Sequence, residues 1–143
     1  MNRIDLQKLS DLRLKEARVL LVAGLPEGAY YLAGYAIECA LKACIARRTQ
    51  QHDFPDKKLV DKSYTHDVEK LLDAAGLLDS LKNDLAGNKE LDLDWETVRE
   101  WSEQSRYELF EGDPTGGWVI AQMLIDAVES ENGGVLRWIR QFW

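Results

Sequence analysis

Two ionisable side chains, Glu38 and Lys42, lie in the most apolar stretch of the sequence, YYLAGYAIECALKACIARR at residues 30–48. A helix would place them one turn apart on the same face, with the acid first, which is the order that favours an ion pair. Burying an unpaired charge is very costly, so both side chains require partners. The pattern indicates either a structural ion pair or a part of a functional site, because perturbed charges are found in both.

A third charge, Arg13, interrupts an apolar stripe in the preceding segment, which consists of Leu6, Leu9, Ala17 and Leu20 at helical spacing. Two adjacent helices would thus each carry a charge on a core-facing side. We therefore expect Glu38 to meet Arg13, or Arg106 of the SEQSRYELF segment, across the core. The structural alternative is that Arg13 extends from the edge of the core to solvent.

The sequence also contains a His66–Asp67 pair, which is typical of metal-dependent phosphohydrolases. Such a site needs further histidines as ligands, and His52 is the only other histidine in the chain. We therefore predict neither a metal site nor another cofactor. The segment THDVEKLL is instead typical of a helix start with Thr65 as the N-cap. The sequence has no nucleophile-elbow motif and no phosphate-loop motif.

The elements that must position these side chains are helices, because no segment shows the two-residue periodicity of a strand. The spacing of apolar residues and helix breakers predicts helices joined by short connections, hence an all-α, up-and-down bundle with the second helix at its centre. It predicts a loop over 50–64 and a short last helix. The predicted helices cover about 5–23, 27–49, 65–75, 77–86, 94–107, 117–130 and 135–143.

The size and charge of the chain narrow the range of functions. Its 143 residues predict a single domain over 1–143, and a net charge of −7 argues against phosphate-backbone binding over the whole surface. No charge-free apolar run is long enough to span a bilayer, and the first residues do not resemble a secretory signal. We therefore expect a cytoplasmic protein without a membrane partner. Cys39 and Cys44 would point to different sides of one helix and stay reduced.

The C-terminal segment LRWIRQFW alternates two arginines, Arg137 and Arg140, with aromatic residues. Arginine and aromatic side chains anchor many interfaces. We expect this segment to pack on its own bundle, on a second subunit or on a nucleic acid, in that order of preference.

Four segments together resemble the HEPN domain proteins of bacteria. They are EARVLL at 16–21, GAYYLAGYAIECALKACIA at 28–46, THDVEKLL at 65–72 and WSEQSRYE at 101–108. The resemblance covers nearly the whole chain, and GYAIECALKA is its most specific part. It implies an all-α bundle of about five helices, usually dimeric. It also implies an association with nucleotidyltransferases or with toxin–antitoxin and defence systems.

Many members of the family are metal-independent ribonucleases with an arginine and a histidine four to six residues apart, late in the bundle. Arg106 stands at the position of that arginine, but Tyr107 follows it, and a phenol is a poor base near pH 7. Arg47 and His52 have the family spacing but lie at the end of helix two and in the following loop. Glu38 would correspond to the polar residue that an earlier helix often supplies to the family's site.

Three functions are compatible with these residues. The first is a binding module for a nucleotide, an RNA or a nucleotidyltransferase-type partner. The second is a toxin-type ribonuclease, with Arg106 binding the phosphate and His66 acting as the base. The third is a structural homodimer in which the polar core residues fix the register. The binding candidates, with His66 as a possible addition, are Arg13, Glu38, Lys42, Arg106 and Tyr107.

Overall fold

A computed structural model describes residues 1–49, 53–54 and 56–143, and within these ranges the chain forms helices and no strand. The predicted all-α fold class is confirmed. The described ranges hold eight α-helices, of which five have ten or more residues and three are short. The helices are α1 (Arg3–Val22), α2 (Pro26–Arg48), α3 (Lys57–Ser63), α4 (Val68–Ala74), α5 (Leu78–Gly87), α6 (Lys89–Arg99), a 3₁₀ helix (Glu103–Tyr107), α7 (Trp118–Glu129) and α8 (Val135–Ile139).

Helix α2 is the central element, as the sequence predicts. It contacts α1, α4, α7, α8 and the 3₁₀ helix. The small side chains of Ala33, Ala36 and Ala40 are fully buried and allow neighbouring backbones to come close. The buried hydroxyl of Ser10 in α1 donates a 2.7 Å hydrogen bond to the carbonyl of Ala36. This contact fixes the register of the α1–α2 hairpin.

The core-facing side of α1 differs from the predicted stripe. The buried residues of this helix are Ser10, Leu14, Ala17 and Leu21. Ser10 takes part because its hydroxyl has an acceptor on α2, which apolar periodicity alone does not reveal. Arg13 therefore lies at the edge of the core, where it forms an ion pair with Glu16 and its side chain is 27% exposed. The expectation that Arg13 occupies the middle of the core-facing stripe is wrong.

Several helix boundaries also differ from the sequence expectation. The predicted loop over 50–64 contains α3, which begins after Asp56, and the side chain of Asp56 caps it. The predicted helix over 94–107 is two elements, because Asn88 caps a helix that ends at Arg99. A 3₁₀ helix follows after Trp101 turns into the core. His52 lies outside the described residues, so the predicted Arg47–His52 pair is described only at Arg47.

The C-terminal segment packs on its own bundle, which was the first of the three expectations for it. Trp138 is buried, and its indole N–H donates a 2.7 Å hydrogen bond to the carboxylate of Asp84. Phe142 packs against Trp138, and Arg47 of α2 donates to the carbonyl of Phe142. The segment thus closes one end of the bundle.

No helix in the described ranges is both long enough and apolar enough to cross a bilayer. Cys39 and Cys44 are both buried and free. This agrees with the expectation that the two thiols do not pair with each other.

Candidate functional site

Glu38 is the most deeply buried charged side chain in the described part of the protein, with only 1% of its side chain exposed. Two basic side chains contact its carboxylate. The ammonium of Lys42 lies 2.8 Å from Oε1. The Nδ1 atom of His66 lies 2.9 Å from Oε1 and 3.1 Å from Oε2. The carboxylate is an acceptor, so Nδ1 must carry the hydrogen in this contact.

Local sequence places these groups. Lys42 follows Glu38 by one turn of α2, so their pairing is confirmed as the sequence predicts. His66 precedes α4, whose cap is Asp67 and not the predicted Thr65, because the Asp67 carboxylate accepts from the Lys70 amide at 3.0 Å. Thr65 contributes two residues earlier, since its hydroxyl oxygen accepts from the Asp67 amide at 3.2 Å. These bonds hold the backbone on both sides of His66.

The expected partner of Glu38 was an arginine, and this expectation is wrong. Arg13 pairs with Glu16, and Arg106 pairs with Glu103. His66 takes the position across the core that the sequence reasoning assigned to an arginine. The start of α4, which His66 precedes, packs against this face of α2. The sequence alone does not show which helix packs there.

On its other side, His66 faces a second carboxylate. The His66 Nε2 atom lies 3.5 Å from Oε2 of Glu103, and Oε1 of Glu103 lies 2.8 Å from Nη1 of Arg106. Glu38, His66, Glu103 and Arg106 therefore form a continuous series of contacts, which we call the polar chain. It runs from the centre of α2 to the surface, where the side chains of His66 and Arg106 are 47% and 42% exposed.

Glu103 is the member of the polar chain that sequence reasoning missed. In the sequence it is one of ten acidic residues between positions 84 and 113, and its residue type does not distinguish it from the others. The one available signal was its spacing, because Glu103 precedes Arg106 by three residues and a helical turn brings such a pair together. In the structure its side chain is only 16% exposed.

A groove with a volume of about 640 Å³ is lined by two members of the polar chain, His66 and Glu103. Arg106 does not line it but pairs with Glu103, which does. The groove runs between the start of α4 and the 3₁₀ helix. Tyr64, at one side of the groove, is 85% exposed. Tyr107 does not line the groove, but it is 71% exposed and its ring lies 4.8 Å from the Arg106 guanidinium carbon. The residues that line the groove include Tyr64, His66, Arg99, Glu100, Trp101 and Glu103.

The groove wall depends on the close packing of Trp101 against Gly34. A Cβ atom at position 34 would lie 2.2 Å from the Trp101 ring, so only glycine leaves room for the indole. Trp101 Nε1 and the hydroxyl of Ser105 are buried without a hydrogen-bond partner among the described residues. The segment that carries Glu103 and Arg106 is thus held mainly by the packing of Trp101 and by the ion pairs of Glu103.

The acidic residues around the groove are partly neutralised. Arg99 pairs with Glu69 at 2.7 Å and with Glu96 at 3.1 Å. Asp67 has Lys70 at 3.6 Å. Glu100 is exposed and makes no ion pair with any described residue. In the polar chain itself, Glu103 lies between two basic groups and Glu38 contacts Lys42 and His66.

Two predicted site residues stand apart from the polar chain. Arg13 makes no contact with Glu38, and Tyr107 reaches the polar chain only through the ring contact with Arg106.

Burial and then the charge of Glu38 raise the pKa of the nearby Tyr35 phenol. Among the described residues, no group of three or more histidine, cysteine, aspartate or glutamate side chains is arranged to hold a metal ion.

Comparisons with protein-family models, with curated proteins and with solved structures find no match to this chain.

Proposed function

We propose that this chain is a HEPN-like binding module that holds a nucleotide or a short stretch of RNA in the groove beside the polar chain. One observation carries the proposal. His66 and Arg106 are far apart in sequence, yet their side chains meet at the same carboxylate, that of Glu103, which lines this groove.

The chemistry of these side chains suits a phosphate-bearing ligand. A guanidinium binds phosphate oxygens with two parallel N–H donors. A doubly protonated imidazole, whose Nδ1–H is donated to Glu38, would add a third donor through its Nε2–H. The exposed ring of Tyr64 offers a face on which a base can stack, as single-stranded RNA does on aromatic side chains. The groove volume of about 640 Å³ also falls in the range of small-molecule sites.

The HEPN-like assignment is supported by where the resembling segments lie. The helix that contains GYAIECALKA supplies Glu38 and Lys42, THDVEKLL supplies His66, and WSEQSRYE supplies Glu103 and Arg106. Three of the four segments thus contribute to the polar chain. The family's homodimer, its nucleotidyltransferase-type partner and its toxin–antitoxin or defence context remain predictions that follow from the resemblance.

A metal-independent ribonuclease is the second candidate, and the same convergence favours it. The late histidine of the family's pattern is absent from the sequence, but His66 lies beside Arg106 through their shared contact with Glu103. An imidazole that transfers a proton and an arginine that stabilises the phosphate are the groups that this reaction needs.

Fluorescence anisotropy with labelled single-stranded RNA in EDTA tests the binding proposal. We expect Arg106→Ala and His66→Ala to weaken binding about 10-fold or more, as for the loss of a charged hydrogen bond. Arg137→Ala is the matched control, because Arg137 is exposed on α8 and lines a different pocket. No binding by the folded wild-type protein, or an equal loss in the control, would contradict the proposal.

The same mixtures, analysed by gel, test the second candidate. A ribonuclease would leave 2′,3′-cyclic phosphate ends in EDTA, and both substitutions would abolish the cleavage. RNA that is bound but stays intact would identify a binding module without this activity.

A further inference from the structure

Glu103 lies where two basic groups converge, and each of its oxygens faces a different one. Its Oε1 atom is 2.8 Å from Nη1 of Arg106, and its Oε2 atom is 3.5 Å from Nε2 of His66. A phosphate group presents its oxygens to donors in the same way, with different oxygens facing different donors. The carboxylate therefore occupies the position that an anionic ligand group would take between these two side chains.

We infer that Arg106 and His66 form a phosphate subsite, and that the carboxylate of Glu103 fills this subsite until the phosphate of a ligand displaces it. The inference rests on the proposed function, since it names the place in the groove where the phosphate binds. It assigns Glu103 the role of an internal competitor.

The contacts of Glu103 allow it to leave. It is the first residue of a 3₁₀ helix of five residues, and no side chain caps the start of this helix. Its 3.5 Å contact with His66 is longer than a hydrogen bond. Two polar groups of the same segment, the Trp101 indole N–H and the Ser105 hydroxyl, have no hydrogen-bond partner among the described residues. The 2.8 Å contact with Arg106 is thus the one short polar contact of the Glu103 side chain among the described residues.

His66 would keep its orientation when Glu103 leaves. Its Nδ1 atom contacts both oxygens of Glu38, whose carboxylate is buried and also held by Lys42. The Nε2 atom then points into the groove. Glu38 is thus a positioning residue, because it fixes the ring while the opposite nitrogen binds the ligand.

The charges predict how strongly Glu103 competes. With Glu103 in place, a phosphate would approach a carboxylate at short distance, and like charges in contact weaken binding. Replacement by glutamine keeps the shape of the side chain but removes this charge. Glu103→Gln should therefore bind phosphate-bearing ligands more tightly than the wild-type protein.

Glu100 provides a matched control for the charge itself. It lines the same groove, is exposed, and contacts neither His66 nor Arg106. Glu100→Gln changes the net charge by the same amount as Glu103→Gln. A general electrostatic effect would raise affinity in both variants, whereas displacement from the subsite would do so only in the Glu103 variant.

Isothermal titration with adenosine 5′-monophosphate, and with adenosine as the ligand without phosphate, measures the effect. We expect Glu103→Gln to lower the Kd for the monophosphate about 10-fold, Glu100→Gln to change it less than about 3-fold, and Arg106→Ala to abolish the gain when combined with Glu103→Gln. The Kd for adenosine should stay the same in all variants. Thermal unfolding of each variant verifies that it is folded.

The outcomes separate the two proposals. If the wild-type protein binds RNA or the monophosphate but Glu103→Gln binds it equally or more weakly, the displacement inference is wrong and the binding function stands. An equal gain in Glu100→Gln also overturns the inference. If no folded variant binds the monophosphate or RNA, both proposals are wrong.

Discussion

The Nδ1 atom of His66 lies between both oxygens of the buried Glu38 carboxylate, at 2.9 Å and 3.1 Å. This contact joins the central helix α2 to the start of α4 at the edge of the core. It also orients the imidazole, so that its second nitrogen faces the groove and Glu103. The pairing thus links the stability of the bundle to the geometry of the candidate site.

The charge of Glu38 should therefore contribute to stability. We expect Glu38→Gln to lower the free energy of unfolding by about 1–3 kcal/mol, because the Lys42 ammonium and the His66 Nδ1–H lose the charged acceptor between them. Urea denaturation measures this change. Asp73→Asn is the control, because it removes the acid of the exposed Lys62–Asp73 pair, where we expect less than about 1 kcal/mol. Equal losses in the two variants would contradict a special role for the buried carboxylate.

A methyl group at position 34 should disturb the groove wall. We expect Gly34→Ala to destabilise the protein by about 1–3 kcal/mol, because its Cβ would lie 2.2 Å from the Trp101 ring and displace it. Gly87→Ala is the matched control near the end of α5, since its Cβ would meet nothing within 4 Å. There we expect little change or a slight gain. Chemical denaturation and the fluorescence of the buried tryptophans report both effects, and an unchanged Gly34→Ala protein would refute the packing argument.

The two cysteines should be inert in the folded protein. Burial raises the pKa of Cys39 to about 11 and that of Cys44 to about 12. For Cys39, the lower thiolate fraction alone slows reaction about 100-fold at pH 8 compared with a thiol of ordinary pKa. Titration with a chromogenic disulfide should detect two thiols in denaturant and no fast one in the native state. A rapidly reacting native thiol would show that one of the two is accessible.

Asp113 should make the protein more sensitive to acid. Hydrogen bonds from the Thr115 hydroxyl, then from the backbone of Gly117 and Thr115, lower its pKa below the ordinary value of 3.8. The folded state therefore favours the carboxylate, and the resulting stability is present above pH 3.8 and is lost as the pH falls through the folded-state pKa.

Melting temperatures of Asp113→Asn and the wild-type protein test this sign. We expect the variant to melt lower near pH 7, and the difference to shrink as the pH falls below about 4. Glu111→Gln serves as the control, because Glu111 is exposed and makes no hydrogen bond or ion pair with a described residue. A difference that is constant from pH 7 to pH 2 would mean that the carboxylate is not stabilised in this way.

The sequence by itself determined the features that depend on local spacing. The apolar run at 30–48 predicts a long, central helix, and α2 is that helix. Glu38 and Lys42 are one turn apart, so their pairing follows from helical geometry alone. The proline and glycine breaks likewise predict most of the helices, although boundaries shift where a capping side chain such as Asn88 begins a helix earlier.

The tertiary structure decided which distant side chains meet. A rotation of α1 by about one residue moves Arg13 from the core-facing stripe to its edge, because each residue turns a helix by roughly 100°. Apolar periodicity does not fix this rotation, since the core-facing side includes a polar residue, Ser10, which a search for apolar spacing passes over. The contacts of His66 with Glu38 and Glu103 join three separate elements, and they follow from how those elements pack.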